Sequence, residues 1–238
     1  MAARAGVSVT WYTWLEQGRG GPPSDEVLER LSRALELDPA SREVMYLLAT
    51  QRRPPVTAPQ PMQIPPAVQH VLDAMPMSPA IVKTPTWDVV AWNAPAAALF
   101  RGHSPEPAGP GYNSLRRLFA DPAARSHLPD WEENARLVLA VFRFEVARAG
   151  ASAEAAELIA ELSAASADFR RLWAENDVRS HGTGFKRFHD PVAGDLAMEV
   201  TAFAVEGAEG LTMLVFNPAT PADARAMEVM LQRRAEAA

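Results

Sequence analysis

Two arginines in one apolar segment could bind an anion. Arg136 and Arg143 are seven residues apart in the segment 131–150, and this spacing places them on one face of a helix. A guanidinium can hold a carboxylate through two charge-assisted hydrogen bonds, which suits the polar end of an apolar pocket. The alternative is that each arginine reaches solvent while its aliphatic stem covers the core.

Aromatic and apolar side chains elsewhere could surround the rest of such a ligand. Alternation along the segment 87–93 predicts Trp87, Val89 and Ala91 on one face of a strand and Trp92 on the other. Asn93 comes next, where it either caps the following helix or contacts the ligand. The methionines and Trp173 suit an adaptable cavity as well as a plain core. The candidate ligand-binding residues are Trp87, Trp92, Asn93, Arg136, Leu139, Phe142, Arg143, Trp173, Met198 and Met213.

Catalytic chemistry has little support in the sequence. The five histidines are dispersed without metal-ligand spacing, and no G-x-S-x-G motif is present. The chain has no cysteine, which excludes disulfides and thiolate chemistry and fits a reducing cytoplasm. We therefore predict no catalytic residue, no metal site and no enzyme; an enzyme on an α+β sheet would require turnover of a bound ligand.

Sequence-specific DNA binding is predicted for the segment GVSVTWYTWLEQGRG (6–20). A recognition helix needs a capped start, polar residues near that start and an apolar inner face. Ser8 supplies the cap, and Tyr12 and Leu15 form the inner pair. The candidate DNA-binding residues are Ser8, Thr10, Trp11, Thr13, Trp14, Gln17 and Arg19, the last of them for a phosphate. The alternative is a capped surface helix of a small bundle.

Net charge restricts how DNA could be bound. The formal charge is −6 over 238 residues, which disfavours strong nonspecific binding to nucleic acid. Residues 1–53 hold seven basic and seven acidic residues, so the remainder holds 23 − 7 = 16 basic and 29 − 7 = 22 acidic residues. DNA contacts must therefore come from a few placed side chains in the neutral N-terminal part.

Helix signals position the DNA-reading segment. Ser8, Ser24 and Asp38 each precede a helical pattern, and Pro39 follows Asp38 at the first helical position. Three short helices then form an all-α module over residues 1–51. The segment 52–66 has six prolines in fifteen residues and reads as a linker, or alternatively as a loop within one domain.

The remaining residues, 67–238, predict an α+β domain. A helix, a two-strand hairpin and a short helix precede a loop rich in proline and glycine at 101–113. Helices follow over 129–149, 153–164 and 167–175, then three antiparallel strands and a helix over 221–236. This order predicts a five-stranded antiparallel sheet with helices over one face. No apolar run approaches the roughly 18 residues that would cross a membrane.

These motifs together resemble a known family. The segment from AGVSVTWYTWLEQGRG to LERLSRALELD resembles the helix-turn-helix of bacterial Xre-type regulators. WDVVAWN, NSLRRLF, SADFRRLWAENDV and GFKRF resemble the C-terminal domain of MmyB-like transcription regulators. The resemblance implies operator DNA and a small hydrophobic molecule, such as a fatty acid, as partners, with a PAS-like ligand-binding domain.

Departures from the family pattern modify these expectations. Only MAARA precedes GVS, whereas the family has a helix and most of a second there, so we expect either that the true start lies upstream or that the module has lost its first helix. Such a module would leave Val7, Leu15 and the helix at 25–37 without a packing partner. Trp14 stands where the family usually has arginine, and Asn176 where it usually has histidine.

We therefore predict a cytoplasmic, homodimeric regulator with no membrane contact, in which ligand binding modulates DNA binding. The alternative is a ligand-binding protein that has lost DNA binding and uses its remaining helices for dimerisation or partner binding.

Overall fold

The computed structural model describes residues 1–19, 21–52, 54, 64–100, 112–180, 184–206, 208 and 210–236. Two compact units divide the chain, Met1–Gln60 and Pro61–Ala238. Most of the linker predicted at 52–66 and most of the loop predicted at 101–113 lie outside the described residues.

The N-terminal unit contains the three predicted helices. Each begins at the predicted cap: the side chains of Ser8, Ser24 and Asp38 accept hydrogen bonds from backbone amides three residues further on. Such caps satisfy amides that have no partner within the helix. The helices are α1 (Val9–Glu16), α2 (Asp25–Ala34) and α3 (Pro39–Thr50).

A small apolar core holds these helices together. Ala5 and Leu31 are buried at its centre, and Val7 and Leu15 pack against them. The expectation that Val7 and Leu15 would lack a packing partner was therefore wrong, because residues 1–6 form a turn that places Ala5 beside α2. The buried Tyr46 ties α3 to α2 by donating its hydroxyl hydrogen to the carbonyl of Asp25, at 2.9 Å.

The C-terminal unit has the predicted α+β order. Its helices are α4 (Pro66–Asp73), α5 (Ala94–Leu99), α6 (Ser114–Ala120), α7 (Pro122–His127), α8 (Trp131–Ala149), α9 (Ser152–Ala165), α10 (Ala167–Trp173) and α11 (Pro221–Glu236). Its strands are β1 (Ala80–Lys83), β2 (Val89–Trp92), β3 (Gly184–Asp190), β4 (Gly194–Ala204) and β5 (Thr212–Pro218). The predicted order contained neither α6 nor α7.

The five strands form one antiparallel sheet in the order β2-β1-β5-β4-β3. One face, called here the inner face, is covered by α5 and α11. Its buried apolar residues are Ile81, Phe188, Leu196, Met198, Val200, Leu214 and Phe216. On the opposite, outer face, α4 packs Val68 and Leu72 against Val82 and Val215.

The helices α6, α8, α9 and α10 build a second apolar core. The middle of α8 is buried on all sides, from Val138 through Phe142, because helices and the hairpin surround it. The hairpin contributes Trp87 to this core, from the turn between β1 and β2. Leu128 packs against both this core and the inner-face core, and so links the two.

The hairpin departs from simple alternation. A register shift between Val82 and Lys83 places Val89 beside the inner-face core, on the same side as Trp92. Ala91 belongs to the outer-face core, while Trp87 lies before the strand at φ 67°. The predicted face shared by Trp87, Val89 and Ala91 was therefore wrong, because a bulge adds one residue and inverts the alternation.

Candidate functional site

The exposed side of α1 carries most of the candidate DNA-binding residues. Thr10, Thr13, Trp14 and Gln17 are exposed along it, and Trp14 keeps 51% of its surface accessible. Ser8 lies at the start of the helix and accepts from the amide of Trp11 at 3.1 Å. The helix therefore presents polar groups along its exposed side, with Thr10 near its N-terminus, as a recognition helix requires.

Trp11 and Arg19 differ from these residues in their surroundings. Trp11 is partly buried and packs against the core of the N-terminal unit, on the same side as Tyr12 and Leu15. Arg19 is exposed, and within the described part of the chain its guanidinium has no hydrogen bond or ion pair. By contrast, Arg42 is paired with Glu29 at 2.7 Å. Arg19 is thus available to an external anion.

The methionine candidates lie on opposite faces of the sheet. Met198 is fully buried on the inner face, where Trp92 also packs. Met213 pairs with Val82 and belongs with the outer-face core beneath α4. A ligand on the inner face would therefore meet Met198 and Trp92 but not Met213.

The helical candidates come together in the second core. Leu139 and Phe142 are buried in the middle of α8, and Trp173 packs against Phe142 with ring centroids 5.9 Å apart. Trp173 also stacks on Phe169 at 5.7 Å. These aromatic contacts use both the area and the preferred geometry of the rings, so they stabilise the helical layer.

Asn93 caps α5, as one of its two predicted roles required. Its Oδ1 accepts from the amides of Ala96 and Ala80, at 3.0 and 2.9 Å. Its Nδ2 donates to the carbonyls of Leu72, Met75 and Ser78. These five contacts use both ends of the buried amide, which leaves little hydrogen-bonding capacity for a ligand.

The two candidate arginines of α8 have partners within the protein. Arg136 is exposed and pairs with Glu132 at 2.5 Å and Glu175 at 2.9 Å. Arg143 lies over the ring of Trp173, 3.7 Å from its centroid, and donates to the carbonyls of Trp173 and Asp177. The carbonyl end of α10 thus holds Arg143, as expected for a cation at a helix C-terminus.

A buried ion pair connects the hairpin to α8. Lys83 is fully buried, and its Nζ lies 2.8 and 2.6 Å from the two carboxylate oxygens of Glu145. Trp87 donates its indole N–H to the same carboxylate at 2.6 Å, and its ring lies 4.2 Å from the Lys83 ammonium. Burial lowers the pKa of Lys83 to about 8, although Glu145 opposes the shift. The charge is thus compensated inside the protein.

Lys186 lies on the same face of the sheet without such compensation. It is paired in register with the buried Met198 on β4. Lys186 is partly buried, which lowers its pKa to about 8, and the nearby charge of Lys83 adds to the effect. Among the described residues, Lys186 has no hydrogen bond or ion pair.

The sequence contained a signal for these lysines that our predictions did not use. Lys83 and Lys186 are the two lysines of the chain; Lys83 ends the apolar strand AIVK, and Lys186 lies within the strand GFKRFHD. Glu145 could not be found in this way, because its role depends on the packing of α8 against the hairpin.

Arg117 is a further buried cation of the helical layer. Its side chain is 14% exposed, with Asp121 at 3.8 Å, and its Nη1 has no hydrogen-bond partner among the described residues. Burial lowers the pKa of Arg117 to about 10. Within the described ranges, no cluster of side chains could hold a metal ion, and no helix is long and apolar enough to cross a membrane.

The two units have the features of a regulator: a capped helix with exposed polar residues, and an α+β domain with a layered apolar interior. Residues 1–45 match a helix-turn-helix domain, and residues 64–230 match the MmyB-like transcription regulator ligand binding domain. The chain belongs to the MmyB-like transcription regulators and is a DNA-binding protein with a ligand-binding domain. No curated protein matches it.

Proposed function

We propose that the C-terminal domain binds a small hydrophobic molecule such as a fatty acid, and that this binding modulates DNA binding by a homodimer. The protein acts in the cytoplasm and has no catalytic activity. The apolar inner face of the sheet carries the proposal, because it lies beside a helical layer with a core of its own. The match to a ligand-binding domain supports the same interpretation.

The energetics favour a ligand with a long tail. Burial contributes roughly 0.8 kcal/mol for each methylene, so a dozen carbons contribute on the order of 10 kcal/mol before the costs of ordering. Met198, Val200 and Phe216 are buried beneath α5 and α11, so such a tail would enter between the sheet and these helices and pack against flexible and aromatic side chains. The free energy that switches the regulator is the difference in ligand affinity between its two states.

For DNA, the exposed side of α1 is the proposed reading surface. Thr10, Thr13 and Gln17 would face base edges, and Arg19 would contact a phosphate. Arg19→Ala should weaken binding to all sequences alike and reduce the slope of log K against log salt by about 1. Thr13→Ala should instead alter sequence preference at one position. A salt slope that Arg19→Ala leaves unchanged would exclude the phosphate contact.

An exposed apolar stripe on α3 supports the proposed dimerisation. Val44, Leu47 and Leu48 are 53, 42 and 82% exposed, at a spacing that puts them on one side of the helix. A second copy of the chain would remove this apolar stripe from water, and two-fold symmetric operators require such pairing. Leu48→Glu should then give a monomer in analytical ultracentrifugation, whereas Glu26→Gln, an exposed residue of α2, should not.

Native mass spectrometry of the full-length protein, repeated after denaturation, tests the proposal most directly. A dimer that releases a species of fatty-acid mass on unfolding would support both ligand and assembly. A monomer that neither releases nor takes up tetradecanoate would reject both. A dimer that binds tetradecanoate but selects no sequence from a random duplex library would favour a ligand-binding protein that has lost DNA binding.

A further inference from the structure

We propose that Val9 contacts the methyl group of a thymine, so that the operator carries an A·T pair where the start of α1 enters the major groove. The inference rests on the proposed function, because it takes the exposed side of α1 as the surface that reads DNA. It adds an apolar side chain to a surface whose expected residues are polar or aromatic.

Val9 is an exposed apolar residue in the first turn of α1, where it keeps 72% of its surface accessible. The core of the N-terminal unit receives Trp11, Tyr12 and Leu15 from this helix, and the helical period places these three on the side away from Val9. A β-branched residue also slightly lowers the propensity to form a helix. Neither core packing nor helix formation therefore accounts for Val9.

Thr13 lies one turn after Val9 and extends the same exposed surface. Residues four apart are neighbours on a helix, and Thr13 is exposed. Its hydroxyl donates to the carbonyl of Val9 at 3.0 Å, so the hydroxyl proton is used within the helix. What Thr13 offers to a base edge is a methyl group and an acceptor. The two residues together form an apolar patch, and apolar contact is how proteins recognise the thymine methyl.

The polar groups of α1 agree with a preference for A·T pairs. Guanine is most often read by arginine or lysine, and the segment 9–17 contains neither. Gln17 is exposed, and a glutamine amide matches the edge of adenine. Burial and the neighbouring Glu16 carboxylate raise the pKa of Tyr12, so the acidic group that could read cytosine is engaged within the protein.

Two observations favour DNA over another protein as the molecule that covers Val9 and Thr13. Residues 1–45 match a helix-turn-helix domain. Arg19 follows the same helix, is exposed, and has no hydrogen bond or ion pair within the described ranges. A DNA duplex offers a phosphate to such a cation and base edges to the neighbouring side chains. Because the chain carries a net charge of −6, affinity depends on individual contacts of this kind.

Uracil tests the contact because it differs from thymine by the methyl group alone. The full-length protein first selects duplexes from a random library, and each thymine of the selected site is then replaced singly by uracil. Binding is measured by fluorescence anisotropy at one salt concentration, because affinity for DNA depends on salt. At the position that Val9 contacts, the affinity of the wild type should fall about 4-fold, the loss expected when one methyl group stays in water.

Substitutions of Val9 assign the effect to this side chain. Val9→Ser should bind the thymine and uracil duplexes equally, and Val9→Ala should retain part of the difference. Val192→Ser, at a 60% exposed valine of the C-terminal unit, is the matched control and should behave as wild type. At the same position, 5-methylcytosine should bind the wild type about 4-fold more tightly than cytosine does, and Val9→Ser should not distinguish them. Circular dichroism verifies folding; if Val9→Ser does not fold, Val9→Ala decides.

The outcomes separate the thymine contact from DNA reading itself. Selection of no sequence from the library would overturn both. Selected sites that tolerate uracil at every position, or that contain no thymine, would overturn the thymine contact and leave DNA reading by α1 intact. A uracil effect that persists unchanged in Val9→Ser would mean that another residue touches the methyl group, and Val9 would lose its assignment.

Discussion

The two units differ in the charged side chains that they bury. In the N-terminal unit, charged pairs such as Arg30–Glu26 lie on the surface, and Arg19 is exposed without a partner. In the C-terminal unit, Lys83, Glu145 and Lys186 lie on or beside the inner face of the sheet. DNA is met from outside, so exposed residues on one helix suffice. The proposed small-molecule ligand would instead enter the interior, where each charge must be compensated by the protein or by the ligand.

The largest effect is expected at the buried pair. Glu145→Gln leaves the Lys83 charge without its counter-ion in the interior and should lower the free energy of unfolding by about 3 kcal/mol, measured in urea. The exposed Glu157→Gln on α9 is the matched control and should change it by less than about 0.5 kcal/mol. Similar effects of both changes would show that burial does not distinguish the two units.

Lys186 should destabilise the ligand-free protein in a pH-dependent manner. Its pKa is lowered from 10.5 to about 8, so between these values the unfolded chain binds more protons than the folded one, and stability rises with pH. Lys186→Met should therefore be about 1–3 kcal/mol more stable than wild type at neutral pH. The difference should shrink as the pH rises above 8. Lys83 and Glu145, which face the same interior, are present in both proteins, so their titration does not account for the difference. If stability depended on pH in the same way in Lys186→Met and in the wild type, Lys186 would not be the cause of the pH dependence.

A helix cap should contribute less than a buried charge. Ser8→Ala removes the acceptor for the Trp11 amide and should cost about 1 kcal/mol in the N-terminal unit. Thr10→Ala on the same helix makes no cap and should leave stability nearly unchanged. The thermal transition of this unit, followed by circular dichroism, would distinguish the two variants; equal losses would mean that the cap is unimportant.

The smallest effect is expected for the surface network of α8. Arg136→Met breaks two exposed ion pairs, with Glu132 and Glu175, and should change the free energy of unfolding by at most about 0.5 kcal/mol. The same variant should bind tetradecanoate as wild type does. A strong loss of binding would make Arg136 a ligand anchor, as the sequence suggested.

Local signals in the sequence predicted much of the fold. Caps at Ser8, Ser24 and Asp38, and the strand patterns of the C-terminal unit, depend on neighbours within a few residues, and the structure confirms them. The short helix α6 was missed although its cap is local: the Asn113 side chain accepts from the amides of Leu115 and Arg116. The sequence therefore carried a signal for α6 that our predictions did not use.

The site was harder to predict for the same reason. An arginine in an apolar helix suggested an anchor, but Arg143 is held by the carbonyl end of α10, which only the packing of α8 and α10 brings near. Lys186 gave no local signal beyond alternation. Lys83 has an ion-pair partner, Glu145, and Lys186 has none among the described residues. This difference depends on how the sheet and α8 pack together.

The hydrogen bonds of Asn93 have a consequence for the order in which the chain folds. These hydrogen bonds join residues within a span of about 25: Leu72, Ser78, Ala80 and Ala96. By contrast, β1 can pair with β5 only after more than a hundred further residues. Closing short loops is fast and closing long ones is slow. The α4–hairpin–α5 corner should thus form early, with a high φ-value for Asn93→Ala. A nascent chain would then hold a finished docking edge for β5 well before that strand is synthesised.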